Sequence, residues 1–297
     1  MPPSSPPPQP PERPGTLLET DDDIHQALRT GPAGQLAAGK AGQPTASIAK
    51  PAGVASPYRP TQRPPTALLT VLDDGKSEGE VVRLRTDRFI IGRTEGDLLL
   101  PHDQQISARH VEITRQRVGD KYRWVVTDLQ SSNGLFIRVS RTVLTDKTEF
   151  LAGMARYRFE APSGGLAETV DALPPGAAHG STQPLGIEAA PLLQPALVEL
   201  IGGKVLSRLP LAKPEYWIGS DPACAICRLG DPFIEPWHIR LYREANDTWR
   251  TQKAKDVWQA QNNKTANGLW LKVPQITVTD SCSFQIGEQR FRLNGGG

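Results

Sequence analysis

Between residues 66 and 161 the chain breaks into short runs in which apolar and polar residues alternate, and no stretch sustains a helical period. Val81-Val82-Arg83-Leu84-Arg85 and Val111-Glu112-Ile113-Thr114-Arg115 are two such runs. A period of two sends successive side chains to opposite faces of an extended chain, so one face can be buried while the other meets water. The runs recur roughly every 8–12 residues with Gly, Asp or Asn between them, as strands joined by tight turns do. Strands are predicted near 67–72, 80–91, 97–100, 109–116, 122–129, 134–139, 148–151 and 156–160. Many short strands with turn signals between them predict an all-β sandwich.

Composition decides how much of the 297-residue chain folds this way. More than half of its 28 prolines fall within the first 65 residues, among Gly, Ala, Ser and Thr. Such a stretch buries too little apolar surface to offset its ordering entropy, so 1–65 is expected to be a disordered Pro-rich tail. A second polar, Gly/Pro-containing stretch at 162–194 reads as a flexible linker. That leaves blocks 66–161 and 195–294, each large enough to enclose a core.

The second block repeats landmarks of the first. Trp217-Ile218-Gly219 echoes Ile90-Ile91-Gly92, His238-Ile239-Arg240-Leu241 echoes His110-Val111-Glu112-Ile113, and Asn267-Gly268-Leu269 echoes Asn133-Gly134-Leu135. The Gly-to-His interval is 18 residues in one and 19 in the other, while the His-to-Asn interval grows from 23 to 29. A longer loop or hairpin around Asp247–Lys264 would absorb the difference. Near-equal spacing of shared landmarks predicts two tandem sandwiches from a duplicated fold.

Gly92-Arg93, Ser107-Ala108-Arg109-His110 and Ser132-Asn133-Gly134 fall in order on loops between the predicted strands of the first block. A guanidinium offers a fork of donors to paired oxygens, a hydroxyl adds another donor, and an amide both donates and accepts along an extended backbone. This constellation closely resembles the forkhead-associated (FHA) domain, a β-sandwich family that captures phosphothreonine peptides. The resemblance implies that Arg93 and Ser107 hold the phosphate, Ser132 assists, and Asn133 pairs with peptide backbone. It gives Gly92, His110 and Gly134 supporting roles, His110 steadying the loop that carries Ser107. Family members that favour an acidic residue three positions after the threonine often carry arginine two positions before the serine. Gln105 stands there in this chain.

The second block departs from that pattern where the chemistry is concentrated. Ser220 stands in place of the arginine and Glu235 in place of the serine, although Asn267 remains. A carboxylate about 4 Å from a phosphate charge costs about 4 kcal/mol at an effective dielectric of 20. A charge-assisted hydrogen bond contributes only about 1.5–3 kcal/mol. The degenerate second copy is therefore expected not to bind phosphothreonine, and to serve structure or assembly.

Other signals are weaker. Gly75-Lys76-Ser77-Glu78-Gly79 matches a hydrolase nucleophile elbow, but a strand-like run follows it where a helix is required, so it reads as a hairpin loop. Cys224-Ala225-Ile226-Cys227 lacks a second pair for zinc, and Cys227 is expected to pack in the interior. Trp124, Trp217, Trp249 and Trp270 are expected in the core. No metal or cofactor and no enzymatic activity are anticipated. Within 66–161 there are 15 Lys/Arg and 14 Asp/Glu, too even a balance for nucleic-acid binding. Three cysteines, no signal-peptide pattern and no long apolar run suggest a cytoplasmic protein without a membrane span. The Pro-rich extension fits a bacterial origin.

The expected partners are phosphothreonine-containing proteins, including a Ser/Thr kinase or its substrates. The acidic cluster around Thr16 and Thr20 adds an intramolecular candidate, in which phosphorylated Thr20, or secondarily Thr16, occupies the Arg93 site in cis. About 46 residues of flexible chain span roughly 37 Å, so reach does not forbid it. The competing expectation is a phosphorylation-independent scaffold that uses both sandwiches as interaction surfaces.

Overall fold

The computed structural model describes residues 15–20, 22–24, 26, 66–73, 76–119, 121–162, 194–244 and 257–295. Most of the expected tail and linker lies outside these residues, as does Trp249. The described chain is almost entirely β, and it forms two compact units.

The unit carrying Arg93 comprises the described residues within 19–135 and 273–295. Its five-stranded sheet runs in the order Gln275–Val278, Lys121–Asp128, Val111–Val118, Arg88–Gly92, Leu98–Leu99. Its other strands lie in the order Gly79–Leu84, Ala67–Leu72, Gln289–Asn294, Ser281–Ile286. Alternation along Val111–Val118 turns Val111 and Ile113 fully inward. The core adds Leu69, Leu84 and Ile91 from the first block, and Phe284, Phe291 and Leu293 from the chain's last residues. Phe284 stacks on Phe291 with centroids 5.0 Å apart, and Trp124 Nε1 donates to the Gly295 carbonyl at 3.1 Å.

The unit carrying Ser220 comprises the described residues within 15–18 and 136–272. One run of strands is Ile226–Cys227, Glu215–Gly219, Ile239–Glu244, Val257–Asn262 and the 141–144 end of Leu135–Leu144. The other is Lys204–Pro210, Ala196–Ile201, Ala155–Glu160, Glu149–Ala152 and Leu269–Val273. Leu17–Leu18 adds a short strand, with Leu17 opposite Arg141 and Leu18 opposite Val139.

These memberships revise the expected boundaries. Blocks 66–161 and 195–294 do not each close on themselves: 136–160 belongs with 196–272, and 273–295 belongs with 67–135. The physical reason lies in one uninterrupted strand. A tight hairpin needs residues that tolerate positive φ, usually Gly, Asn or Asp. Leu135–Leu144, ten residues long, contains none, so the chain runs straight on where a self-contained sandwich would have to reverse. After Leu269–Val273 stands Pro274, which fixes its own φ and also offers no such turn.

Smaller differences follow from local chemistry. The predicted strand 80–91 is two strands, Gly79–Leu84 and Arg88–Gly92, because the chain bends at Thr86-Asp87. Residues 245–256 of the expected longer loop lie outside the described residues, and Val257–Asn262 is a strand. Trp124 and Trp270 are buried, whereas Trp217 is half-buried and packs edge-on against Trp237. Cys227 is exposed, contrary to expectation, and Cys224 is the buried member of the pair. Strand Ile226–Cys227 is only two residues long and lies at a sheet edge, so its alternation does not direct Cys227 inward.

A fragment limited to 66–161 lacks the edge strand Gln275–Val278 and the fully buried Phe284, Ile286, Phe291 and Leu293. It is expected to show no cooperative urea transition by far-UV circular dichroism, whereas the whole chain does. A cooperative fragment would mean that 136–160 can substitute for 273–294.

Candidate functional site

Arg93 follows the strand Arg88–Gly92 at a crowded point. A Cβ on Gly92 would stand 2.1 Å from the Ala108 carbonyl oxygen and 2.4 Å from that of Glu95, so only glycine lets the two loops approach. That approach allows the Arg93 amide to donate to the Ser107 carbonyl at 2.9 Å and the Glu95 amide to donate to Ala108 at 3.0 Å. Arg93 and Ser107 are thereby brought together. The Arg93 side chain is half-buried and makes no hydrogen bond or ion pair among the described residues.

His110 holds the arrangement from beneath. It is fully buried, and its Nδ1 accepts from the Ser107 amide at 3.1 Å. An accepting Nδ1 makes Nε2 the protonated nitrogen, which then donates to the Gly134 carbonyl at 3.2 Å. One neutral ring thus ties the Ser107 loop to the Asn133 loop. Burial pushes its pKa below the usual histidine value, against the raising effects of the Gly134 bond and of Asp128 and Asp103.

The third loop is organised by Asp128 and Ser131. Ser131 Oγ donates to Asp128 Oδ1 at 2.5 Å and accepts from the Gly134 amide at 2.9 Å. This fold of the loop aims the exposed Ser132 at its neighbour, so that the Ser132 amide donates to Ser107 Oγ at 3.1 Å. Asn133 Nδ2 donates to the Gln105 carbonyl at 2.8 Å, leaving its Oδ1 without a partner among the described residues. The Arg93 and Ser107 backbones are thus bonded to each other, the Ser132 amide is bonded to Ser107 Oγ, and one amide acceptor on Asn133 is left open.

The Ser220 unit repeats this bonding with different chemistry. Its His238 is also fully buried, with Nδ1 accepting from the Glu235 amide at 3.1 Å and Nε2 meeting the Gly268 carbonyl at 3.0 Å. The Ser220 amide donates to the Glu235 carbonyl at 3.0 Å, as Arg93 does to Ser107. Here Glu235 Oε1 accepts from the Ala266 amide at 2.6 Å, taking the place that Ser107 Oγ has beside Ser132. A carboxylate already occupies that end of the loop cluster.

Thr16 and Thr20 are engaged elsewhere. Thr16 Oγ1 lies 3.0 Å from Thr142 Oγ1, and Thr20 Oγ1 donates to Asp23 Oδ2 at 2.7 Å at the start of the helical turn 22–24. Among the described residues no group of His, Cys, Asp and Glu is arranged to hold a metal ion, and no helix is long and apolar enough to cross a membrane. Sequence reasoning missed Gln105 as a contact of Asn133, and it missed Asp103 and Glu288 entirely. Glu288 carries no local signal, because only the exchanged C-terminal segment brings it to this loop.

Residues 89–153 match the FHA domain family. Among solved structures, the FHA domain of the CT664 protein from Chlamydia trachomatis is similar at 28% identity, covering 25% of this chain and 70% of that one, with a TM-score of 0.21. A structure from a study of phosphothreonine-dependent FHA domain interactions is similar at 33% identity, covering 24% and 68%, with a TM-score of 0.19. Mycobacterium tuberculosis EmbR in complex with a low-affinity phosphopeptide is similar at 22% identity, covering 32% and 24%, with a TM-score of 0.21. No curated protein matches the chain.

His110 carries a pH prediction with a definite sign. Its folded pKa lies below its unfolded one, so the unfolded state binds the extra proton as pH falls. Its contribution to stability is complete above about pH 6.5 and is lost as pH drops through the lower folded value. Urea unfolding of His110→Asn should flatten that dependence, and His110→Ala should cost about 2–4 kcal/mol.

Proposed function

With an FHA domain matched across residues 89–153, we propose that the Arg93 unit is a phosphothreonine-peptide reader within a signalling or adaptor protein. The observation that supports the reading is the backbone bond that joins Arg93, whose side chain has no partner among the described residues, to Ser107. A phosphothreonine brings about −1.5 to −2 charge and three acceptor oxygens, which suit a fork of donors plus a hydroxyl. Asn133, fixed by its bond to Gln105, offers its free oxygen to a peptide amide. Ser132 adds a hydroxyl at the rim. None of these groups is arranged for bond making, so we read capture without catalysis. We assign the activity to the cytoplasm, with Ser/Thr kinases or their substrates as partners.

The Ser220 unit has a different part in this proposal. Glu235 satisfies the Ala266 amide internally and would repel a phosphate, so we read this unit as a degenerate copy used for structure or assembly. Thr16 and Thr20 enter as candidate phosphosites. Capture in cis requires that a phosphate first release Thr20 from Asp23 or Thr16 from Thr142.

Fluorescence anisotropy of the full chain with phosphothreonine peptides, against their unphosphorylated forms, tests the reading. Arg93→Ala is expected to lower affinity by at least tenfold, corresponding to about 1.5–3 kcal/mol for the charged hydrogen bonds removed. Ser107→Ala should lower it by less, about threefold to tenfold. Equal binding of both peptide forms, or unchanged capture by Arg93→Ala, would favour the scaffold instead. For the other unit, Ser220→Arg with Glu235→Ser should add a second phosphate-dependent site, detectable as a doubled stoichiometry by calorimetry.

A further inference from the structure

The loop carrying Ser107 is braced by a turn that the chain reaches far later. Gly287 adopts φ 56°, and a Cβ there would lie 2.3 Å from Asp103 Oδ2 and 2.8 Å from Ile106 Cγ1. Both the conformation and the close approach call for glycine. The next residue, Glu288, donates its amide to Asp103 Oδ2 at 2.7 Å, while Asp103 Oδ1 accepts from the Gln105 amide at 2.8 Å. Gln105 Nε2 then donates to Glu288 Oε1 at 3.0 Å across 183 residues of sequence. Since the Gln105 carbonyl also receives Asn133 Nδ2, an unbroken line of bonds joins the amide that faces the peptide to the Glu288 carboxylate.

That carboxylate is exposed, and no Lys or Arg pairs with it among the described residues. The fold does not require it. In the Ser220 unit the same brace exists, with the Met154 amide on Asp231 Oδ2 at 2.8 Å and the Phe233 amide on Asp231 Oδ1 at 2.9 Å. Met154 and Phe233 thus hold the positions of Glu288 and Gln105, and both are exposed. The backbone brace is shared while the side chains differ in charge and polarity. This spot is free to vary, and it lies one residue's reach from the peptide-facing amide.

We infer that Glu288 is a specificity-determining residue of the phosphothreonine site, favouring Lys or Arg over Asp or Glu at the peptide position that lies over Gln105. The inference rests on the phosphothreonine reading of the Arg93 unit. An exposed opposite-charge pair is worth little by itself, about 0.2–1 kcal/mol, so Lys should exceed Ala by up to about fivefold. Repulsion should weaken Glu by a similar factor. The effect is screened and shrinks as salt rises.

The test uses the full chain at low ionic strength and alanine-rich phosphothreonine peptides. A single Lys, Ala or Glu is moved from three residues before the phosphothreonine to four after it. One position is expected to rank Lys above Ala above Glu, with about tenfold between the extremes. Glu288→Gln, which keeps an acceptor for Gln105, should flatten that ranking without altering the urea midpoint, and Glu288→Lys should invert it. Phosphate- and Arg93-dependent binding with no charge preference at any position, or a preference unchanged in Glu288→Gln, would overturn the inference alone. Failure of every phosphothreonine peptide to bind would overturn the phosphothreonine reading and the inference with it.

Discussion

The architecture depends on the absence of a reversal between Leu135 and Leu144. Ten residues with no Gly, Asn, Asp or Pro favour continued extension, and five of the first five are buried as the strand proceeds. A tight two-residue reversal is disfavoured where no residue readily accepts the positive φ of the primed turns. The consequence is topological. Each unit is assembled from two segments distant in sequence, and the Arg93 unit obtains Phe284, Phe291 and Leu293 from the end of the chain. Such long-range pairing carries a large loop-closure entropy, which the buried aromatic pair and the paired strands must offset.

Within the Arg93 unit a single imidazole converts that fold into a site. Its two nitrogens face a backbone donor on one loop and a backbone acceptor on another, and burial keeps the ring neutral. Neutrality matters because a protonated ring would present a donor to the Ser107 amide, itself a donor. The same imidazole geometry in the Ser220 unit makes a useful contrast. There the scaffold is intact and the chemistry is replaced, since Glu235 fills with its own charge the place where Ser107 leaves a hydroxyl donor free. The bonding that shapes these loops is therefore separable from the side chains they present.

The separation extends to the rim. Asp103 and Asp231 each receive two amides, one from their own loop and one from a turn of another segment. Those bonds fix backbone position and leave the side chains at the turn free to differ. Glu288 and Met154 occupy equivalent places and differ in charge and polarity.

The sequence by itself determined the strands of the first block, the sandwich class and the order of the residues proposed as the phosphate site. Alternation of period two and the order of Gly92-Arg93, Ser107, His110 and Ser132-Asn133-Gly134 are local patterns, and local backbone chemistry enforces them. The strand expected over 134–139 runs on to Leu144, and the lack of turn residues in that run had no reading in the sequence. Only the tertiary structure decided which segments share a core, because the pairings that join them, such as Leu68 with Asn294 and Gln275 with Thr127, link residues more than a hundred positions apart. For the same reason it alone brought Glu288 to Gln105, left Cys227 exposed at a short edge strand, and drew Glu235 onto the Ala266 amide.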